Sequence, residues 1–246
     1  MSHAMTTVTI IFIILFAFTA TFIQRVTGFG FGIVFMTAAP FLMPSYGEAT
    51  ALSGMLALVC ALITGIQFVK FIPWKKLIPI LLTFLVISFF AVKVVSIVDG
   101  KTLKHILGGI LIIVALYFFF FSGKIRIKPT IPLQMCTGTI SGVMGGLFGM
   151  QGPPAVIYFI SCTERKDEYM ALTQWYFIIS NIALTLYRAG NGFVTANVSK
   201  AWLIGVCAVL LGLFAGSKVY KKLPIQTVRK FVYVFIGVAG IVALAA

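Results

Sequence analysis

A glycine- and proline-rich segment occurs twice in this chain, each time within strongly apolar sequence. The first copy covers residues 27–40 and opens with TGFGFG, and the second covers residues 141–154 and contains GGLFGMQGPP. Glycine and proline interrupt regular helix, and the bilayer tolerates the freed backbone groups only where protein or a water-filled cavity satisfies them. A helix break that recurs in two halves of a membrane chain indicates the binding site of a transporter.

The composition assigns the chain to the membrane proteins. Of its 246 residues, 61% are hydrophobic and only 10% are charged, whereas soluble domains carry about a quarter charged residues. At about 20 residues for each crossing, the length predicts about eight transmembrane helices in addition to short broken or re-entrant segments. We therefore predict an all-α integral membrane protein.

The charged and reactive residues exclude several other classes. The formal net charge is +14, but the Lys and Arg residues occupy short loops between apolar runs, which favours cytoplasmic loops over a nucleic-acid surface. The four cysteines lack metal-ligand spacing. Motifs of metalloproteases, hydrolases and nucleotide-binding loops are absent, so we predict no enzyme, metal or cofactor. The five carboxylates fall in predicted loops or at helix ends, which leaves little for a proton-coupled mechanism.

The hydropathy pattern predicts the spans and their connections. The long apolar spans are 8–23, 49–69, 77–92, 105–121, 131–148, 169–187, 201–215 and 231–245. Shorter apolar segments, 33–43 and 155–161, follow the two breaks. Residues 44–48, 93–104 and 164–168 are predicted to be turns or loops, the last of them charged and solvated.

The duplication extends beyond the breaks. One constant offset pairs Gly28 with Gly142, Gly32 with Gly146 and Pro40 with Pro154, and slightly larger offsets pair Glu48 with Glu168 and Lys93 with Lys218. Matches in the same order across four segments predict two membrane repeats, residues 5–123 and residues 129–246.

The loop charges favour one orientation of the repeats. If each glycine-rich unit turns back as a hairpin, the halves are inverted, and the loop Lys and Arg residues divide 13 to 5 between the two sides. If each unit crosses once as a broken helix, the halves are parallel and the division is 10 to 8. Cytoplasmic loops carry an excess of Lys and Arg, so we predict inverted repeats with both termini outside. The side with fewer charges then holds Lys93, Lys101, Lys104, Arg188 and Lys200.

The breaks and the polar residues near them are the candidate anion site. A helix that starts within the membrane presents unpaired N–H groups and a positive dipole end, and glycine lets a ligand approach the backbone closely. We predict that the substrate contacts Gln24, Arg25, Thr27, Gly28, Gly30, Gly32, Ser141, Gly149, Gln151, Gly152, Pro153, Gln174 and Asn181.

Each candidate has an alternative interpretation. Glycine pairs four residues apart also allow close helix packing; we favour packing for Gly212 and Gly216, and pathway lining for the glycines of the two break regions. For Asn181, an interhelical hydrogen bond is an equal alternative to substrate binding. For Arg25, the alternative is a place at the membrane interface.

These same segments resemble the sulfite exporter TauE/SafE family. The resemblance rests on the paired breaks, on the run from Gly149 to Pro154, and on the ending Lys218…Leu223-Pro224…Val228-Arg229-Lys230, and it covers nearly the whole chain. Phe29, Phe31 and Gln151 stand where that family often has further glycines. The resemblance implies an inner-membrane permease for sulfite, sulfoacetate or related small sulfur-containing anions, often an exporter.

We therefore predict a transporter that exports such an anion through the lipid bilayer. Export needs no coupling ion when the inside of the membrane is negative, because each charge gains about 2.3 kcal/mol per 100 mV. The alternatives are an uptake permease for a related organic anion, and a non-transporting scaffold or membrane enzyme. A homodimer is a further open prediction.

Overall fold

The computed structural model describes residues 6–121 and 129–220, and the regular elements in these stretches are all helical. They are α1 (Thr7–Thr27), α2 (Phe31–Met36), α3 (Ala39–Leu42), α4 (Tyr46–Gly65), α5 (Trp74–Val95), α6 (Gly100–Phe121), α7 (Ile131–Phe148), α8 (Gly152–Cys162), α9 (Lys166–Gly190) and α10 (Ala196–Tyr220). A 3-10 helix, Ile66–Phe71, continues α4. The predicted last span and the basic ending after residue 220 lie outside the described residues.

Four helices in the described part of the chain are long and apolar enough to cross a membrane. They are α1, α4 with its 3-10 extension, α5 and α10. Helix α9 has 25 residues but a low mean hydropathy, because it carries polar residues that are buried inside the protein. The all-helical membrane class is confirmed, and the number of about eight crossings stays a prediction.

The helices of the two halves pack against each other in matching pairs. Helix α1 packs along α10, and α5 packs along α7, while α4 and α9 pack against one another. Helices α1 and α7 both precede a break, and α5 and α10 are both the second long helix after it. If the two halves are exchanged, the pair α1–α10 therefore becomes the pair α7–α5.

Glycines allow the close approach within these pairs. A Cβ on Gly142 of α7 would lie 3.2 Å from the carbonyl oxygen of Phe84 on α5, and Gly146 packs against the same helix. These two glycines serve helix packing, so the prediction that they line a pathway is wrong. The packing role predicted for Gly212 and Gly216 is confirmed, because both face the backbone of α1.

Several predicted turns are shorter than the sequence pattern indicated. Helix α4 begins at Tyr46, because Ser45 and Glu48 form a reciprocal capping box. Helix α6 begins at Gly100, where Asp99 accepts hydrogen bonds from the backbone N–H groups of the first turn. The hydrogen bond from the Thr102 hydroxyl is the main cause that lowers the pKa of Asp99.

The charged turn at residues 164–168 is also more than a solvated loop. Helix α9 begins within it at Lys166. The carboxylate of Glu168 forms an ion pair with the ammonium of Lys76 at 2.7 Å. Because Lys76 also donates to the carbonyl oxygen of Cys162 at 2.9 Å, this pair ties the start of α5 to the connection between α8 and α9.

Candidate functional site

The first break separates α1 from α2. Gly28 caps α1 at a φ of +88°, and Gly30 precedes α2 at a φ of +106°. Side chains other than glycine rarely adopt these angles, since the left-handed region brings Cβ against the backbone. The hydroxyl of Thr27 is used within the break itself, where it lies 2.7 Å from the carbonyl oxygen of Phe29.

The second break separates α7 from α8. Helix α7 ends at Phe148, and Gly149 caps it at a φ of +68°. Helix α8 begins at Gly152 with Pro153 in its first turn, where a missing N–H group breaks no helical hydrogen bond. Both interruptions that the sequence predicted are thus present in the fold.

The two breaks touch each other. A Cβ placed on Gly32 would overlap the carbonyl oxygen of Gly149 and lie 3.3 Å from the Cα of Met150. Only a hydrogen atom fits between these backbones, so a larger residue at position 32 would have to separate the breaks.

A small cavity lies where the breaks meet. Its volume is about 20 Å³, which is enough for a water molecule. Seven of the predicted site residues line it: Gln24, Gly30, Gly32, Gly149, Gln151, Gly152 and Asn181. The rest of the lining is apolar and includes Ala57 of α4 and Phe177 of α9.

Buried amides of α9 brace both breaks. Gln174 donates to the carbonyl oxygen of Gly28 at 2.7 Å and accepts from Gln24 at 3.5 Å. Gln151, between α7 and α8, donates to the Oδ1 of Asn181 at 3.0 Å. Asn181 therefore makes the interhelical hydrogen bond that was one of its two interpretations, while its Nδ2 has no hydrogen-bond partner among the described residues.

The other predicted residues do not line this cavity. Arg25 is buried, and it donates to Ser217 at 2.8 Å and to Gln67 at 3.1 Å. Its place at the membrane interface stays a prediction. Ser141 is buried along α7, and Pro153 is buried at the start of α8.

Arg188 is a residue that the sequence reasoning missed. It was counted as a loop charge, but it lies in the last turn of α9 and is only 1% exposed. Its Nη2 donates to the carbonyl oxygen of Gly145 at 2.7 Å. A signal was present in the sequence, because Gln174, Asn181 and Arg188 recur every seven residues and so share one face of a helix.

Comparison with known proteins identifies the family. The sequence pattern of the sulfite exporter TauE/SafE family matches residues 13–243. The chain belongs to this family. TauE/SafE proteins are transporters and not enzymes, so the chain is a multi-pass membrane transporter, and the resemblance that the sequence motifs indicated is confirmed.

A curated TauE/SafE relative covers almost the same length. The "Probable sulfite/organosulfonate exporter TauE" of Cupriavidus necator is 26% identical over 242 residues, which cover 92% of this chain and 90% of the relative. No solved structure matches the chain.

Proposed function

We propose that this protein exports a small sulfur-containing oxyanion, such as sulfite or sulfoacetate, across the inner membrane, and that it binds the anion where the two breaks meet. The observation that carries the proposal is the contact of Gly32 with Gly149, beside a cavity to which both breaks contribute. The TauE/SafE membership and the name of the curated relative support the sulfur-containing substrate.

The groups around the cavity suit a negative ligand. The Nδ2 of Asn181 is a buried donor without a hydrogen-bond partner among the described residues. Helix α8 starts at the cavity wall, so its positive dipole end faces the same space. In the proposed site, Gln151 and Asn181 contact the anion, while Gln174 and Thr27 hold the backbone of the first break in place.

The cavity is too small for the substrate, so the structure represents a closed state. A sulfite ion has four heavy atoms, and the space at the breaks is about that of one water molecule. The breaks must therefore separate to admit the substrate. Alternate movement of two inverted repeats around a central site provides such an opening, and the matching helix pairs α1–α10 and α5–α7 support the division into repeats 5–123 and 129–246.

The proposal predicts a flux that follows the membrane potential. In proteoliposomes loaded with sulfite, an inside-negative potassium diffusion potential is expected to accelerate sulfite exit, since each charge gains about 2.3 kcal/mol per 100 mV. Sulfite release and the accompanying current are measured together. Liposomes without protein, and liposomes at zero potential, are the controls.

Three results would contradict parts of this proposal. Electroneutral flux with a strict requirement for protons or sodium would refute potential-driven exit. Net uptake in whole cells would replace export by uptake, and absence of flux for every anion offered would refute transport of these substrates.

A thermal-shift panel of anions narrows the set of candidate substrates. A ligand that binds only the native state raises the melting temperature. We expect stabilisation of the detergent-solubilised protein by at least one member of a panel containing sulfite, sulfate, thiosulfate, sulfoacetate and taurine. The member with the largest shift is then used in the flux assay.

A further inference from the structure

Arg188 is a buried cation that no side-chain carboxylate of this chain neutralises. All five Asp and Glu residues belong to the described stretches, and the ion pair found there joins Glu168 to Lys76 instead. Because an isolated charge is costly to bury, a side chain that is 1% exposed requires a compensating partner.

The hydrogen bonds of the guanidinium are also incomplete. Nη2 donates to Gly145, but Nε and Nη1 have no partner in the part of the chain that the structure describes. A Cβ on Gly54 would lie 3.0 Å from Nη1 and 3.5 Å from the Oδ1 of Asn181, so the guanidinium lies close to an amide of the cavity wall. The unpaired nitrogen atoms here are all N–H donors, which is what an anion requires.

Arg188 ends a buried polar stripe on α9. Gln174, Asn181 and Arg188 are each separated by seven residues, or about 10 Å along the helix. Gln174 contacts the first break and Asn181 contacts the second, and all three side chains are at most 2% exposed. The stripe therefore runs from the breaks to the guanidinium.

A larger basic cavity is lined in part by Tyr46, a neighbour of Arg188. This vestibule has a volume of about 700 Å³, and its lining includes Tyr46, Lys101 and Lys104. Tyr46 is buried and close enough to Arg188 to affect its charge, and Asn181 lies near the same guanidinium. Arg188 therefore neighbours one residue of the vestibule and one residue of the cavity at the breaks. The two lysines raise the local concentration of anions in this vestibule, which lies on the outer side in the predicted orientation.

We propose that Arg188 is the counter-charge of the transported anion and forms a second anion station between the vestibule and the breaks. The anion would accept hydrogen bonds from Nε and Nη1 of Arg188 and from Nδ2 of Asn181. This inference rests on the proposed anion transport. It adds Arg188 to the residues that bind the anion, and it adds the vestibule to the path that the anion takes.

Two variants of Arg188 and one control variant test the station. Arg188→Gln is expected to reduce sulfite flux about tenfold or more, because it removes charge-assisted hydrogen bonds to the ligand, and to abolish the rise in melting temperature that the anion causes in the native protein. Arg188→Lys keeps the charge but not the planar fork, so it should retain part of both signals. Lys200→Gln makes the same change of net charge at an exposed position and should leave both signals unchanged.

A third variant supplies the missing carboxylate within the protein. Asn181→Asp keeps the oxygen that accepts from Gln151 and loses only an unpaired nitrogen. We expect its melting temperature in anion-free detergent to rise above that of the native protein, since Arg188 then has a partner, while flux and the anion-dependent shift are lost. This gain in stability makes the test independent of whether Arg188→Gln folds.

The outcomes separate this inference from the proposed transport. If the native protein transports and is stabilised by sulfite, and Arg188→Gln retains the same flux and the same shift, the station is refuted while the transport function stands. A lower melting temperature in Asn181→Asp with an unchanged anion shift refutes the station as well. If the native protein neither transports nor is stabilised by any anion of the panel, the proposed function fails and the station with it.

Discussion

Gly32→Ala is expected to abolish most of the anion flux while the protein remains membrane-inserted and helical. The added Cβ would meet the backbone carbonyl of Gly149, which cannot rotate away as a side chain would. Overpacking of this kind costs about 1–3 kcal/mol, which corresponds to a loss of about fivefold to 150-fold in the population of the closed contact. Sulfite flux in proteoliposomes, normalised to folded protein, measures the effect.

The matched control is Gly109→Ala. Gly109 lies within α6, and a Cβ there would meet no atom of the described residues within 4 Å. The chemical change is identical, but the breaks are untouched, so native flux is expected. Equal flux in both variants would show that the contact between Gly32 and Gly149 has no part in transport.

Gln174→Leu is expected to lower both the melting temperature and the flux per folded molecule. Gln174 is fully buried, and its removal leaves the carbonyl oxygen of Gly28 and the amide of Gln24 without their hydrogen bonds. An unsatisfied buried group costs about 1–3 kcal/mol. Because the lost bonds hold the first break in shape, transport should suffer in addition to stability.

Gln134→Leu provides the comparison for this variant. Gln134 is also a buried amide, and it donates to the hydroxyl of Tyr158 at 2.8 Å, away from the cavity lining. We expect a lower melting temperature but native flux per folded molecule. If Gln174→Leu behaved in the same way, its amide would be a structural bond only.

The two breaks and the amides beside them were predictable, because their residues interrupt the apolar helical pattern around them. Glycines, prolines and amides within apolar sequence each demand a special backbone or a partner, and Gly30, Gly149, Gln151 and Asn181 all lie at the cavity. The apolar part of the lining, such as Phe177, was not predictable, since an apolar residue of a membrane helix suits lipid, core and cavity equally well.

Two errors have different physical causes. The glycine spacing puts Gly142 and Gly146 in the break region, but both lie within α7, whose bounds match the predicted span 131–148, and both pack against α5. The charge pattern puts Arg188 in a loop, but α9 continues past it to Gly190. Helix α9 runs further than hydropathy indicates, because packing against neighbouring helices decides where it ends.

The position of Arg188 also bears on the predicted orientation. With this residue buried in α9, the side with fewer positive charges keeps only Lys93, Lys101, Lys104 and Lys200. The charge bias that favours inverted repeats becomes larger. Inversion itself stays a prediction, since the last predicted span lies outside the described residues.

The central claim is that the two breaks together bind the transported anion. The most direct measurement is an experimental structure of the protein with selenate, once selenate is known to compete with sulfite for transport, because selenium is located by its anomalous scattering. We predict a selenium peak between the two breaks, within hydrogen-bond reach of Gln151 and Asn181. A transported selenate found only elsewhere in the protein, with the breaks closed and empty, would contradict the account.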